Sequence, residues 1–461
     1  MPLPKRPRLG EPIPNADIPN VPEQYIVKAP YWDAVVSGNL VVIADGTLTN
    51  PEGLGDGNPN SQVQGPYWNM PIGEGMAISP NGELIAAIPQ LPPYFCNTNV
   101  YTTTVTDFTD AWSDCSFSSF PAAIDTSSGT DFSDAWNNCN SLTSFPLLDV
   151  SNGTNFFGAW NNCNSLTSFP LLDVSNGTDF SGAWNNCNSL TSFPLLDVSN
   201  GTDFFGAWSG CNSLTSFPLL DVSNGTNFSS AWAVCTSLTS FPLLDVSNGT
   251  NFSFAWESCS SLTSFPLLDV SSGTNFYFAW AYCSSLTSFP LLDVSSGTNF
   301  YSAWFYCTGL TTFPMLNVSN GTNFRDAWNN CTSLTSFPLL DVSNGTNFRD
   351  AWNNCTSLTT FPLLDVSNGT DFGGAWNNCT SLTTFPAAMF DSCTGTDDFT
   401  GAWTNCALSQ ASVDNILLSI DNAGQENGVL NINGGTSAAP GVAGAAAKAS
   451  LQAKGWTVTT N

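Results

Sequence analysis

Along most of this chain the apolar residues return at fixed places in a unit of 24 residues. In one copy, Phe156, Ala159, Trp160 and Cys163 fall at i, i+3, i+4 and i+7, the spacing of one face of a short helix. Before it, Leu142-Thr-Ser-Phe145 reads as a short strand. Pro146 lacks a backbone donor, and in mid-strand it would break pairing on every rung, so it marks a corner. Leu148-Asp-Val150 predicts a second short extended piece. Ser151-Asn-Gly-Thr154 is turn chemistry, with Gly153 free to take positive φ. Thr154, or the Asn or Asp after it, is placed to cap the helix.

The Ala-Trp pair recurs with Trp at 112, 136, 160, 184, 208, 232, 256, 280, 304, 328, 352, 376 and finally 403, and a cysteine follows each three residues later. Thirteen copies fill residues 100–408. One unit cannot bury its own apolar face, but stacked copies can, which predicts a solenoid. Leu142, Phe145, Leu148, Val150, Phe156, Ala159, Trp160 and Cys163 would then form ladders of identical side chains, at ~4.8 Å per rung. Both terminal copies carry Phe-Pro-Ala-Ala, at 120–123 and 385–388, where interior copies have Phe-Pro-Leu-Leu or Phe-Pro-Met-Leu. Atypical terminal repeats are what capping a repeat array requires.

The flanks divide the rest. Residues 1–24 form a Pro-rich arm without a core of its own. Residues 25–99 alternate short apolar runs with turns and predict a small β-rich anchoring domain, with hairpin signals at Asp45-Gly46 and Asn81-Gly82. Pro30-Tyr-Trp32 and Pro66-Tyr-Trp68 suggest matching edges, packed in a core more readily than exposed for binding. In residues 409–461, Ser412–Gly424 reads as a capped helix, Val429–Asn433 as a strand, Pro440–Lys454 as an Ala-rich helix and the last residues as a strand. Together they form an α/β cap over the end of the solenoid.

The motif Cys-x-x-Leu-Thr-x-Phe-Pro … Phe-x-x-Ala-Trp-x-x-Cys resembles the BspA-like leucine-rich repeat, with Trp in place of that family's Phe. Asp-Val-Ser-Asn-Gly-Thr is closer to a related short bacterial surface-protein repeat. The resemblance covers about two-thirds of the chain and implies a leucine-rich-repeat-like fold with surface display and adhesion. The C-terminal segment, from Gly434-Gly-Thr-Ser-Ala-Ala-Pro to Lys454-Gly-Trp-Thr-Val, resembles the ends of phage tail-fibre-like and other virion proteins. That resemblance implies a virion structural protein.

Charge narrows the functions. The formal net charge is −28, with eight Lys+Arg and no His. A surface this acidic repels phosphate backbones, so nucleic acid is not an expected partner. Without His the commonest general base and metal ligand is missing, which disfavours hydrolase chemistry. The ladder cysteines read as small buried hydrophobes ahead of bridges between neighbouring rungs, leaving Cys96 and Cys393 as the better candidates for a special bond. No Cys-x-x-Cys spacing supports a metal site. The basic N-terminus is followed by no apolar run of signal-peptide length. That pattern is expected of a virion component released by lysis.

Between the copies, the pair after Phe and the pair after Trp vary most, which places the variation outward. In the middle coils these positions turn aromatic: Phe254, Tyr277, Phe278, Tyr282, Tyr301, Phe305 and Tyr306, followed by Arg325 and Arg349. A contiguous aromatic patch with Arg is a hot-spot composition. It points to a host-surface glycan or protein, or to an assembly contact with a sister subunit or another virion protein. The aspartate row from Asp149 to Asp365 reads first as turn capping, then as weak divalent screening, and last as catalysis. Ice binding by the Ser141 and Thr143 hydroxyl ladder is a remote alternative. The expectation is therefore an α/β repeat solenoid with a β-rich N-terminal domain and a C-terminal cap: a non-enzymatic, cofactor-free, metal-free virion fibre or decoration protein. Its N-terminal arm would contact other virion proteins, and the chain would form homo-oligomers without inserting in a membrane. A cellular surface adhesin is the alternative and a tail-spike polysaccharide depolymerase the third reading.

Overall fold

The computed structural model describes the backbone of seven short strands between residues 24 and 101, and residues 106–461 apart from 121–123, 125, 396 and 397. The Pro-rich arm, the side chains of the Pro-Tyr-Trp repeats and Cys96 lie outside the described residues. The chain forms two compact units, one of residues 1–213 with 220–222, the other of residues 214–219 with 223–461.

In the first unit, β1 (Gln24–Ala29), β2 (Tyr31–Ser37), β3 (Leu40–Thr47), β4 (Pro71–Ile72), β5 (Met76–Ile78), β6 (Leu84–Ala86) and β7 (Val100–Tyr101) make one sheet in the order β1-β2-β3-β5-β6-β7, with β4 also on β3. Its pairings are antiparallel except β6 with β7. Asp45-Gly46 does not make the expected hairpin turn but lies inside β3, where Gly46 opposes Trp32 and Ile72. The antiparallel pairing of β2 with β3 instead ends with Ser37 opposite Leu40. Asn81-Gly82 lies outside the described residues, and the strands on either side of it, β5 and β6, pair antiparallel.

The coils of both units follow one plan, and it corrects the expected helix. Between Phe252 and Cys259, the N–H groups of Phe252, Phe254, Trp256 and Ser258 donate to carbonyls of the next coil at 2.7–2.9 Å. Those of Ala255, Glu257 and Cys259 turn back to Phe252, Phe254 and Trp256 at 3.1–3.2 Å. An α-helix spends each N–H on its own i−4 carbonyl and leaves none for a neighbour. This ribbon of three-residue-step turns alternates, one donor inward and one to the next rung. The residue before Ala and the residue before Cys take positive φ in every coil, as at Phe254 (58°) and Ser258 (60°). The apolar spacing is met all the same, with Phe, Ala, Trp and Cys buried. The expected capping residue also acts, since Asn275 Oδ1 accepts from the N–H of Tyr277 at 3.2 Å, but it caps a turn.

Pro146 stands at a corner as expected. Leu148 N–H donates to the Pro146 carbonyl at 3.1 Å, closing a three-residue turn with Leu147 at its tip. The expected extended piece at residues 148–150 follows that turn and joins no strand ladder. Parallel pairing survives only as single bridges, such as Ser144 with Ser168 and Asn155 with Asp179. Gly153 does not use positive φ. It is required because a Cβ there would sit 2.5 Å from the Phe156 ring and 3.0 Å from the Phe132 ring.

The cores are ring ladders. Successive Trp rings stack at 5.3–5.7 Å in the first unit and at 5.0–5.7 Å in the second. Each corner Phe stands edge-on between two of them, as Phe265 does at 4.9 Å from Trp256 and 5.8 Å from Trp280. Aromatic pairs add roughly 0.5–1.5 kcal/mol each beyond burial. The thiols are buried but not inert space-fillers: Cys163 Sγ donates to the Trp136 carbonyl and Cys283 Sγ to the Trp256 carbonyl, both at 3.3 Å. Cys393, expected to be special, is a free buried thiol donating to the Val366 carbonyl at 3.0 Å. Cys115, a ladder member, is disulfide-bonded.

At the end of the second unit, β8 (Asp398–Phe399) pairs in parallel with β9 (Val429–Ile432), and β9 with β10 (Thr457–Thr460), so β9 takes the place of a further coil. Helix α1 (Gln410–Ala423) is capped by the Ser409 side chain and by left-handed Gly424. It packs against α2 (Val442–Ala453). Among the described residues, no helix is long and apolar enough to cross a membrane.

Candidate functional site

The aromatic residues singled out in the sequence come together in the second unit. One row runs along the position after Phe: Tyr277 stacks on Tyr301 at 5.0 Å, and the Arg325 guanidinium lies over Tyr301 at 5.5 Å. A second row follows the position before Ala, with Phe254 on Phe278 at 5.3 Å. A third follows the position before Cys, with Tyr282 on Tyr306 at 5.4 Å. Phe305 joins the rows, reaching Tyr282 at 5.3 Å and Phe278 at 6.2 Å. Phe254 and Phe278 both touch Tyr277, at 4.9 and 4.8 Å. The rings cover much of one another's faces. Tyr282 and Tyr306 are exposed, 39% and 42% accessible, and Phe254, Tyr277, Phe278, Tyr301 and Phe305 are half-buried.

Arg349 stands apart from this ledge. Its Nη1 lies 3.6 Å from Asp371 and 3.5 Å from Asp398, on the two following coils, and its Nε 3.9 Å from Asp350. Carboxylates absorb its charge, so it does not extend the aromatic surface. Arg325, by contrast, has one carboxylate at 3.4 Å, Asp326, and keeps its contact with Tyr301.

Burial raises the carboxyl of Asp326 above the usual range against the hydrogen bond from Asn329, and raises Glu257 against the bond from Ser258. Burial also raises the Tyr301 phenol, although Arg325 beside it pulls the other way. The aspartate row behaves differently. Asp269 Oδ1 accepts from the N–H and the Oγ of Ser271 at 3.1 and 2.7 Å, and those bonds hold its carboxyl below the ordinary range. These are turn-capping bonds, repeated at Asp149, Asp173 and Asp341.

Sequence reasoning missed the backbone under the ledge. In other coils the two left-handed positions hold Asp, Asn, Gly or Ser, for example Asp134 and Asn138, or Gly182 and Asn186. Asn, Asp and Gly tolerate that conformation, whereas bulky and β-branched residues rarely adopt it. Val234, Phe254, Phe278, Tyr282 and Tyr306 adopt it here, at φ of 56–62° and in four consecutive coils. The signal was legible: a run of left-handed formers at fixed positions, interrupted by large side chains in one stretch.

No family model and no curated protein match the sequence. Among solved structures, the chain is similar to a leucine-rich repeat protein from Bacteroides ovatus, at 17% identity and a TM-score of 0.33, over 63% of this chain and 86% of that one. It is also similar to a leucine-rich repeat protein from Eubacterium ventriosum, at 13% identity and a TM-score of 0.31, over 69% of this chain and 88% of that one.

Proposed function

We propose that the chain is a non-enzymatic display protein, an adhesin in the broad sense, whose stacked coils hold the aromatic ledge as a recognition surface. The observation carrying this reading is the set of four aromatic residues in left-handed backbone. Each costs roughly 1–2 kcal/mol relative to a relaxed conformation, and ring pairing returns only about 0.5–1.5 kcal/mol per pair. Stability alone would favour the Asn and Gly of the other coils. Strain retained in one patch is a mark of function.

Because these rings pack on one another, stacked or edge to face, the ledge suits a protein surface better than a sugar stacked on a bare ring. A host-surface glycan is the second reading, favoured by the exposure of Tyr282 and Tyr306. The setting proposed is a virion exterior, on the resemblance of the C-terminal segment, with a cell surface as the alternative. Arrays of surface proteins and glycans probed with labelled chain test the ledge. Replacing Phe254, Phe278, Tyr282 and Tyr306 with Asn should leave the unfolding midpoint as high or higher while abolishing capture. Undiminished capture by that variant would show that the ledge is not the recognition surface.

A further inference from the structure

A second surface, away from the aromatic rows, is built by the Pro corners. In the second unit six successive corner tips are Leu243, Leu267, Leu291, Met315, Leu339 and Leu363, and these are 51–65% exposed. Single exposed leucines need no explanation, but a row repeated on every rung does. The tip belongs to a block that recurs almost unchanged, exposed Thr263, Ser264 and Asp269 included, whereas outward positions between Phe and Cys have diversified. The one change along this row, Leu to Met at 315, keeps it apolar. Two residues beyond the tips stand exposed aspartates at 245, 269, 293, 341 and 365, with Asn317 in that place beyond Met315, so a row of carboxylates with one gap runs beside the apolar row.

The backbone limits what can lie there. Pro266 has no N–H and Leu268 N–H is spent on the Pro266 carbonyl at 3.0 Å, a pattern repeated at Pro290 and Pro338. An extended strand laid along the row would find at each corner only the tip residue's own N–H and no continuous main-chain ladder, and unpaired backbone groups are costly to cover. A helix satisfies its backbone internally. The Phe rings next to the corners are spaced 5.7–6.1 Å per coil, against about 5.4 Å per helical turn. Over four coils the drift is about 2 Å, within side-chain reach, so a helix of roughly 14 residues can seat one turn on each coil.

We propose that this row docks a cationic amphipathic helix of a partner protein, its apolar stripe on the leucines and its Lys or Arg along the aspartates. A second copy of this chain is the wrong partner, because facing rows would bring like charges together.

The test uses the full chain and two labelled 14-residue peptides of identical Leu and Lys content. One places Leu on a single helical face; the other alternates Leu and Lys. Fluorescence anisotropy should show the helical peptide binding, at least tenfold tighter than its alternating isomer, and circular dichroism should show it becoming helical. Leu267→Asn with Leu291→Asn and Leu339→Asn should weaken it at least tenfold without lowering the unfolding midpoint. Asp269→Asn with Asp293→Asn should weaken it at low salt and little at high salt. The ledge variant should bind the peptide unchanged, so the two surfaces are judged separately. Equal binding of both peptides, or unchanged binding by the leucine variant, would reduce the effect to charge attraction and overturn the proposal. So would absence of binding, or self-association through the row in sedimentation.

Discussion

Raising the pH should unfold the second unit in one steep step. Burial pushes the thiols of Cys331, Cys393 and Cys406 up to about 12 and those of Cys259, Cys283, Cys307, Cys355 and Cys379 well above the ordinary value. In the unfolded chain a thiol ionises near ~8.5. The folded state therefore keeps protons that the unfolded state has released. The stability this represents is fully present below ~8.5 and is lost as pH rises toward the folded values. Each thiol removes about 1.4 kcal/mol per pH unit in that window, and these eight together about 11. Against a domain stability on the order of 5–15 kcal/mol, the unit should fail before about pH 10. Far-ultraviolet circular dichroism and thiolate absorbance, followed in reductant from neutral pH upward, should change together and reverse on neutralisation. Tyr and Lys titrate close by, so the decisive control is Cys283→Ala with Cys307→Ala and Cys355→Ala, which should reduce the pH slope by about three-eighths. Thiols that ionise one by one near their ordinary value, in a chain that stays folded, would refute the buried ladder.

Other expectations follow from single positions. Val234→Asn replaces a β-branched residue at φ 60° and should raise stability by about 1 kcal/mol in urea titration. Gly273→Ala brings a Cβ within 2.6 Å of the Phe276 ring and 3.0 Å of the Val270 carbonyl, and should cost roughly 1–3 kcal/mol by the same measurement. Arg349→Ala loses three partly exposed carboxylate contacts and should cost less than ~1 kcal/mol, an effect that vanishes in high salt.

The repeat, its corner at Pro and its buried set were legible because stacking makes the same demand on every copy. Leu, Phe, Val, Trp and Cys recur wherever a coil must cover its neighbour, and burial follows that recurrence. What could not be read directly was the backbone between the buried points. Apolar residues at i, i+3, i+4 and i+7 are satisfied by a helix and equally by a ribbon of turns that twice visits left-handed φ. Periodicity counts side chains and is blind to where each N–H points.

The residues between the apolar points held the missing information. Gly182 and Asn186, or Asp350 and Asn354, are poor choices for a helix in an array where each copy could carry Ala or Glu, and good choices for left-handed backbone. Once that requirement is recognised, the substitutions against it acquire meaning. Phe278 and Tyr282 are outward like their counterparts, but with Val234, Phe254 and Tyr306 they oppose the conformation that their coils impose. The corner leucines are a parallel case. Leu147 and Leu148 are adjacent and cannot both face inward, yet only the turn closed on the Pro146 carbonyl decides that Leu148 is buried and Leu147 is not. In both places a surface residue stands out because the backbone under it is known. A solenoid makes that comparison possible within one chain, since every other coil reports what the fold alone requires at the position.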